Sequence, residues 1–477
     1  MGGGKTVIGN AVISKKDNFF AAGVWDGDCK EGDLLHTQFA CCTGAIIKDD
    51  KIIFVTPNHM QEAIYSIRCN NTLCFSNSVP LLLAVSNSDL DENYFDYEHD
   101  FCSVILGFSE YVKRSPLKNG RYLDIYRCQH VEVDKNLRIL ASRKYSGLLF
   151  ADFKDYTTKM IEVLKRIKEN ATSKYRALPY GMISTISQGY DAAAGSTLAK
   201  KIGCDEVITF NYPIKYLKDK GTDIAKTLGY QHIYELSATS YMNNKSFDEA
   251  KAFCSGDGMM LFGSLGKHIS NKLLFDGMRG DQLWSITNPM VNNDMIFTYK
   301  NGLSQAEISF IEYGLHLNTV TIHSPLFGAD NWIDVAKISK SEEMKPFSVG
   351  NNYDRPIPRR IVEEAGVGRK AFGWEKKGGG LSYHYDTLRS IKRKMSPHSY
   401  NDLCSYKRHI KRNAWKKFCF DMKYYYHEYP VYLNYILNKL KIHLKLNHKE
   451  NYMSSPLSSV LIMWGMDKVK KQYKEQI

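Results

Sequence analysis

The chain has 477 residues, 43% of them hydrophobic, and a formal net charge of +13. That length exceeds what a single core usually organises, so two or three domains are expected. No apolar run is long enough to span a bilayer and no signal peptide opens the sequence, which excludes a membrane-spanning helix and favours a cytoplasmic protein.

The 11 cysteines are scattered without a CxxC pair, a pattern of reduced thiols in which Cys69 and Cys74 read as core residues rather than zinc ligands. The opening MGGGKT fits a myristoylation pattern and contains GKT. With no strand before it and half of a phosphate-loop motif missing, it reads as a flexible start. Up to about Lys144, short β-rich runs (AVISKK, FFAAGVW, TGAIIKD, KIIFVTP, TLCFSNS, HVEVDK, LRILAS) alternate with turn residues, and MQEAIYSI and VPLLLAVS are the helical segments, which together predict a small sandwich of sheets. Residues 152–173 place apolar side chains at helical spacing with a charged opposite face, a helix connecting two domains.

After that helix the period changes. GMISTIS, DEVITFN and IYELSA alternate with AAAGSTLAKKIG and GTDIAKTLG, the rhythm of a parallel, doubly wound α/β sheet. Ligands of such sheets bind beyond the carboxyl ends of the strands. There the turn STISQGYD puts the small residues Ser187 and Gly189 where backbone N–H groups can approach an anion, with a helix start aimed at the same point. Asp191 could carry the magnesium that a nucleotide brings. The same turn also fits a plain junction between strand and helix. Helix-like segments are expected at 247–262 and 270–274. KLLFDGMRGDQLWS then sets Asp276, Arg279 and Asp281 on a glycine-containing loop, suited to a nucleotide and its metal or to a loop-stabilising ion pair. Residues 353–380 bring two prolines, an amphipathic helix ended by Gly366, and Lys376 and Lys377 beside a glycine triplet.

Residues 387–477 hold 19 Lys and Arg against 6 Asp and Glu, so the rest of the chain is neutral. KRHIKRNAWKKF and the Tyr-rich stretch after it alternate bases with aromatics. This suits nucleic acid, an anionic membrane surface or an acidic carrier, or else a solvated helical cap with Tyr, Leu and Ile facing inward. No specific nucleic-acid motif is present.

The ordered blocks STISQGYDAAAG, DEVITFN, FDGMRGDQLW, ISKSEEMKPF and YDRPIPRRIVEEAGV resemble asparagine synthase-like proteins of the adenine nucleotide alpha-hydrolase superfamily, over roughly residues 180–380. TGAIIKDDKIIFVTPN and LCFSNSVPLLLAVS resemble strands and a helix entry of the class II glutamine amidotransferase domain that precedes the synthetase domain there. The resemblance implies four regions: an Ntn-type domain at 1–150, degenerate in its glutaminase; a connecting helix at 151–180; an ATP-pyrophosphatase-type domain at 181–385; and a basic, aromatic-rich helical extension at 386–477. It implies ATP and Mg²⁺ as cofactors and an AMP-forming amide ligase or amidotransferase. The substrate would be a carboxylate or amide of a small metabolite such as a surface-polysaccharide sugar precursor, with ammonia or an amine as donor, from solution or a partner.

Carried over residue by residue, Ser187, Gln188, Gly189 and Asp191 form the pyrophosphate loop, Asp191 and Asp281 bind metal, and Gly277 and Gly280 shape the second loop. Phe210 and Asn211 lie where adenine would sit, and Lys376 or Lys377 stabilises phosphate charge during adenylation. The chain also departs from the pattern. Gln188 replaces a glycine, Ala192 and Ala193 replace a hydroxyl pair, each hydroxyl worth on the order of 1.5 to 3 kcal/mol as a charge-assisted donor, and Met278 stands where the family has a glutamate. Glu307, Glu312 and Glu343 are the candidates to replace that carboxylate. Met1 is followed by Gly2, and Cys41 and Cys42 lie mid-chain, so glutamine hydrolysis by an N-terminal thiol is not expected. These departures favour the alternative of a catalytically degenerate member that binds nucleotide or a partner.

Overall fold

In the computed structural model the described residues are 12–15, 18–211, 219–254, 260–287, 292–296, 306–351, 353–374, 387–439 and 454–477. MGGGKT, Lys376 and Lys377 lie outside them. The N-terminal part contributes β1 (Ile13–Lys15), β2 (Phe19–Trp25), β3 (Ala40–Lys48), β4 (Lys51–Val55), β5 (Ile64–Cys69), β6 (Thr72–Ser76), β7 (Arg114–Pro116), β8 (Tyr122–Tyr126), β9 (Gln129–Val133) and β10 (Ile139–Arg143). They form two antiparallel sheets, ordered β1-β2-β3-β4-β9-β10 and β6-β5-β8-β7. The sheets meet face to face where Phe54 stacks on Phe75 with ring centroids 4.0 Å apart.

Neighbouring residues of β3 point to opposite faces, as the two-residue period requires. Cys41 therefore enters the core between the sheets, whereas Cys42 joins Trp25, Leu34 and Val55 on the outer face of the larger one.

The predicted helix MQEAIYSI is not formed; its second half, from Ile64, is the start of the strand β5. Its residues Ile64 to Ile67 are all buried, so the run lacks the apolar and polar alternation that marks a half-exposed strand. VPLLLAVS is helical over Val79–Val85, started by Ser78, whose hydroxyl accepts from the Leu81 N–H, and by Pro80 in the first turn.

Helix Phe153–Ala171 is capped by Asp152 and buries Tyr156, Met160, Val163, Leu164 and Ile167. It leads into β11 (Gly181–Thr185), β12 (Glu206–Asn211), β13 (His232–Ser237), β14 (Lys272–Asp276) and β15 (Val320–His323). These strands form a wholly parallel sheet in the order β13-β12-β11-β14-β15. The segment 270–274, expected to be helical, thus belongs largely to β14, and the described residues of 247–262 hold a short 3-10 turn at Glu249–Phe253 and the start of the short helix Leu261–Leu265. The fold is mixed α/β, with antiparallel sheets first and a parallel sheet second. Phe39, Phe150, Tyr156 and Phe327 pack ring against ring between the two parts, and one continuous apolar cluster runs through both.

The final helix, Ser458–Gln476, buries Val460 to Met466 against Val79–Val85 and Glu249–Phe253. Lys470 bonds Ser88 O at 2.6 Å and Asp89 at 2.5 Å, and Tyr473 donates to Glu312 at 2.6 Å. Among the described residues no helix is long and apolar enough to cross a membrane.

A polar seam joins the sheets near β3 and β15. His323 Nδ1 meets Asp276 Oδ1 at 2.8 Å, and His59 stands edge-on to His323 with centroids 5.9 Å apart. Burial, reinforced by His323 and by Lys144 and Arg127, holds the His59 pKa well below 6.5. Burial and Lys144 lower that of His130 to about 4. Both rings are thus neutral when folded, but take a proton near pH 6.5 when unfolded, so the unfolded chain binds more protons below that value. Stability is fully present above about pH 6.5 and falls as the pH drops toward about 4, with a slope near 1.4 kcal/mol per pH unit for each histidine. Denaturant midpoints between pH 7.5 and 5, taken at about half-unit steps, should show this decline, and His130→Gln should flatten it by about one proton. An unchanged slope in that variant would mean that His130 takes up its proton equally well in the folded chain.

Candidate functional site

The chain leaves β11 toward β12 and β13 on one side, then crosses back to β14 and β15 on the other. The loops after β11 and β14 therefore diverge at the centre of the sheet, the switch point at which open α/β sheets bind ligands. Ser187, Gly189, Asp191, Gly277, Gly280 and Asp281 all lie on these two loops or on the helix starts that follow them, so the structure gathers most of the sequence-derived candidates in one place.

Backbone packing, more than side chains, brings the two loops together. A Cβ at Gly195 in helix Tyr190–Lys201 would lie 2.6 Å from the Asp276 carbonyl oxygen, and one at Gly280 would lie 2.5 Å from Asp191 Oδ1. At Gly277 an added Cβ would fall inside the Asp191 carbonyl group and 2.5 Å from Ala192 N. Gly277 and Gly280 thus seat the second loop on the first turn of the helix. Met278 is half-buried and packs against the apolar core, its N–H held by Asp276 Oδ1 at 3.1 Å. Arg279 takes a left-handed conformation, φ 70°, to start the short helix Gly280–Leu283, with Asp281 in its first turn.

The helix Tyr190–Lys201 begins at Gly189 with no side-chain cap. The turn before it is nevertheless well bonded. Gly189 donates its N–H to Ser187 Oγ at 3.1 Å, and the Gln188 carbonyl accepts from Gly373 at 2.8 Å. Gln188 N–H points at an acid, Asp219 Oδ1, 3.0 Å away. A loop N–H ahead of a helix start thus already receives a carboxylate oxygen, the geometry in which such turns receive phosphate.

Asp191 is bonded to Arg355. Asp354 fixes that arginine's backbone by accepting from Ser348 Oγ, from Val349 N–H at 3.2 Å and from Gly350 N–H at 2.9 Å. One turn on, Arg359 in helix Pro356–Glu363 donates to Tyr190 OH at 2.5 and 3.1 Å and lies over its ring. Burial works against charge on Arg355, yet Asp191, Tyr353 and Asp281 hold its pKa above the ordinary value. Burial, and Asp191 after it, raises that of Tyr353. Sequence reasoning missed Arg355 and Asp219, charged groups that meet the candidate loop; Arg355 stands inside the block YDRPIPRRIVEEAGV without a role assigned to it, and Asp219 lies in the polar stretch after DEVITFN.

Phe210 and Asn211 close β12, which is hydrogen-bonded to β11, so they stand at the same edge of the sheet; residues 212–218 lie outside those described. Of the candidates to replace the missing glutamate, Glu312 accepts from Ser78 and Tyr473, at 2.8 and 2.6 Å, and Glu343 pairs with Arg360 at 2.8 Å. Neither is therefore directed to the β14 loop, and Met278 is not compensated by them; the Glu307 side chain lies outside the described residues. Cys41 and Cys42 are buried, and burial above all lifts their thiol pKa values, that of Cys42 to about 12, so neither is a ready nucleophile. No protein-family model matches this chain, and no curated protein proves similar to it.

Proposed function

We propose that the crevice at the switch point binds the polyphosphate of an adenine nucleotide. The Asp219 carboxylate on the Gln188 N–H carries this reading, because it marks a donor of the loop as a receiver of anionic oxygen. The helix start at Gly189 and the Arg355 guanidinium add positive potential at the same point. Phe210 and Asn211 would border the base. The resemblance to asparagine synthase-like proteins supports an Ntn-like sandwich followed by an ATP-pyrophosphatase-type domain, and with them an AMP-forming amide ligase that takes ammonia or an amine from outside.

That chemistry calls for magnesium held by Asp191 and Asp281. As arranged, these residues do not fit a divalent ion: Asp191 is bonded to Arg355, and Asp281 lies within the field of the same cation. This observation favours the second reading, a member of the superfamily that binds nucleotide without adenylating a substrate. The guanidinium would then meet the phosphate charge that a metal otherwise meets.

Calorimetry of the full chain with ATP, with and without magnesium, tests the binding. Asp219→Ala should tighten ATP uptake by about tenfold, since one charge-assisted internal bond of about 1.5 kcal/mol no longer competes. Absence of any uptake in both forms would remove the proposal. ATP/pyrophosphate exchange with a panel of acids separates the two readings: exchange that is lost in Asp191→Ala supports the ligase, whereas uptake without exchange supports the binding protein.

A further inference from the structure

The helix Ala414–Lys439 is turned the wrong way round for a helix lying on a protein body. Its anchor is Phe420, which is 7% exposed and stacks on Phe95 with centroids 4.8 Å apart. Arg412 lies over the same Phe95 ring, and the Asn413 N–H is held by Asn93 at 2.6 Å. At about 100° per residue, Trp415, Phe418, Met422, Tyr425 and Tyr426 fall on one arc about 100° wide, nearly opposite Phe420. All five are exposed, by 53% to 78%, and Trp415 stacks on Phe418. The contiguous stripe of large apolar and aromatic side chains therefore faces outward. Isolated exposed hydrophobic residues are ordinary, but a continuous stripe of this kind marks a surface with a partner.

The charge around the stripe identifies the partner. Between Thr387 and Tyr426 there are eleven Lys and Arg against two acidic residues. Lys392, Arg393, Lys407, Arg408, Lys411, Lys416, Lys417 and Lys423 are all exposed. A second copy of this face would bring like charges together. An aromatic face flanked by lysines is complementary to the headgroup layer of an anionic bilayer, where Trp and Tyr rings occupy the boundary and Lys and Arg meet lipid phosphates and carboxylates.

We propose that Trp415, Phe418, Met422, Tyr425 and Tyr426 form an interfacial docking face for an anionic membrane surface. The helix would lie in the plane of the headgroups while the body stays in water. This inference is independent of the nucleotide site.

The test is flotation of the full chain with vesicles of phosphatidylcholine alone and of phosphatidylcholine with about one-third phosphatidylserine, across a salt series. The expected result is binding to the anionic vesicles that weakens with salt, and little binding to the neutral ones. Trp415→Ser with Phe418→Ser should weaken it at least about tenfold through the lost apolar burial. Lys416→Glu with Lys423→Glu should do the same through charge, while Lys135→Glu, on the N-terminal sandwich, should leave it within about twofold. These positions are exposed, so the variants should unfold at the same denaturant concentration as the parent chain. Equal binding to neutral vesicles, or binding indifferent to the aromatic pair, would overturn the proposal. So would loss, in those same variants, of self-association or of RNA binding in a chain that ignores vesicles.

Discussion

Gly277→Ala is expected to destabilise the chain by about 3 kcal/mol and to abolish nucleotide uptake. The new methyl group would enter the carbonyl of Asp191 and the Ala192 nitrogen, both backbone atoms of the first turn of helix Tyr190–Lys201, which cannot swing aside as a side-chain end can. Either the loop after β14 lifts from the helix or the turn is pushed out of register with β11. Overpacking usually costs about 1 to 3 kcal/mol, and the upper figure applies because the obstacle is main chain. Gly189→Ala is the control. Its Cβ would meet Ser187 Oγ at 3.3 Å and Tyr353 OH at 3.7 Å, and its φ of −73° suits any residue, so a change within about 0.5 kcal/mol is expected. Urea denaturation of the two variants and calorimetry with ATP provide the comparison. If Gly277→Ala proved as mild as Gly189→Ala, the close backbone seat beneath the site would be refuted.

The contrast between those two glycines also shows which parts of the site could be read from sequence. The strand, turn and helix around Ser187 to Asp191 were legible because the hydrophobic period changes from two to helical spacing within a few residues. Asp281 followed from a polar, glycine-containing loop after an apolar stretch, although that stretch reads as helical in the sequence and is the strand β14. Gly195 was not legible. A glycine among Ala192, Ala193, Ala194 and Ser196 looks like one more small residue, and its function is to admit the Asp276 carbonyl, which lies on another strand. Arg355 is 164 residues from Asp191, and no local pattern joins residues so far apart. β5 was misread because a strand buried on both faces carries no alternation to separate it from a short helix. The mixture of bases and aromatics in the tail was visible, but its orientation was not. Leu461, Ile462 and Trp464 face inward, as a cap would have them, whereas Trp415, Tyr425 and Tyr426 face solvent. The seat of Phe420 on Phe95 sets which way that helix is turned.

Arg355→Met should cost about 2 to 3 kcal/mol. The Arg355 side chain is 6% exposed and that of Asp191 21%, so removing the guanidinium leaves a largely desolvated carboxylate facing an apolar replacement. Breaking a fully buried pair costs about 3 to 5 kcal/mol, and the water that still reaches Asp191 brings the figure down. Adding Asp191→Asn to Arg355→Met should restore much of the loss, because the carboxylate charge that faced the guanidinium is then gone, and a double-mutant cycle should give a coupling of about 1 to 2 kcal/mol. Additive single effects would show that the pair does not form in solution. The same variants bear on function through a separate readout. If Arg355 occupies the place a divalent ion would take, Arg355→Met makes ATP uptake dependent on magnesium, because Asp191 and Asp281 then face the phosphates with no cation between them. If the pair only braces the helix Pro356–Glu363 against Tyr190–Lys201, stability falls while the response to magnesium stays as it was. A chain that shows the first behaviour has kept the carboxylates of an adenylating site and closed them with its own arginine; one that shows the second has used the same ion pair to join two helices.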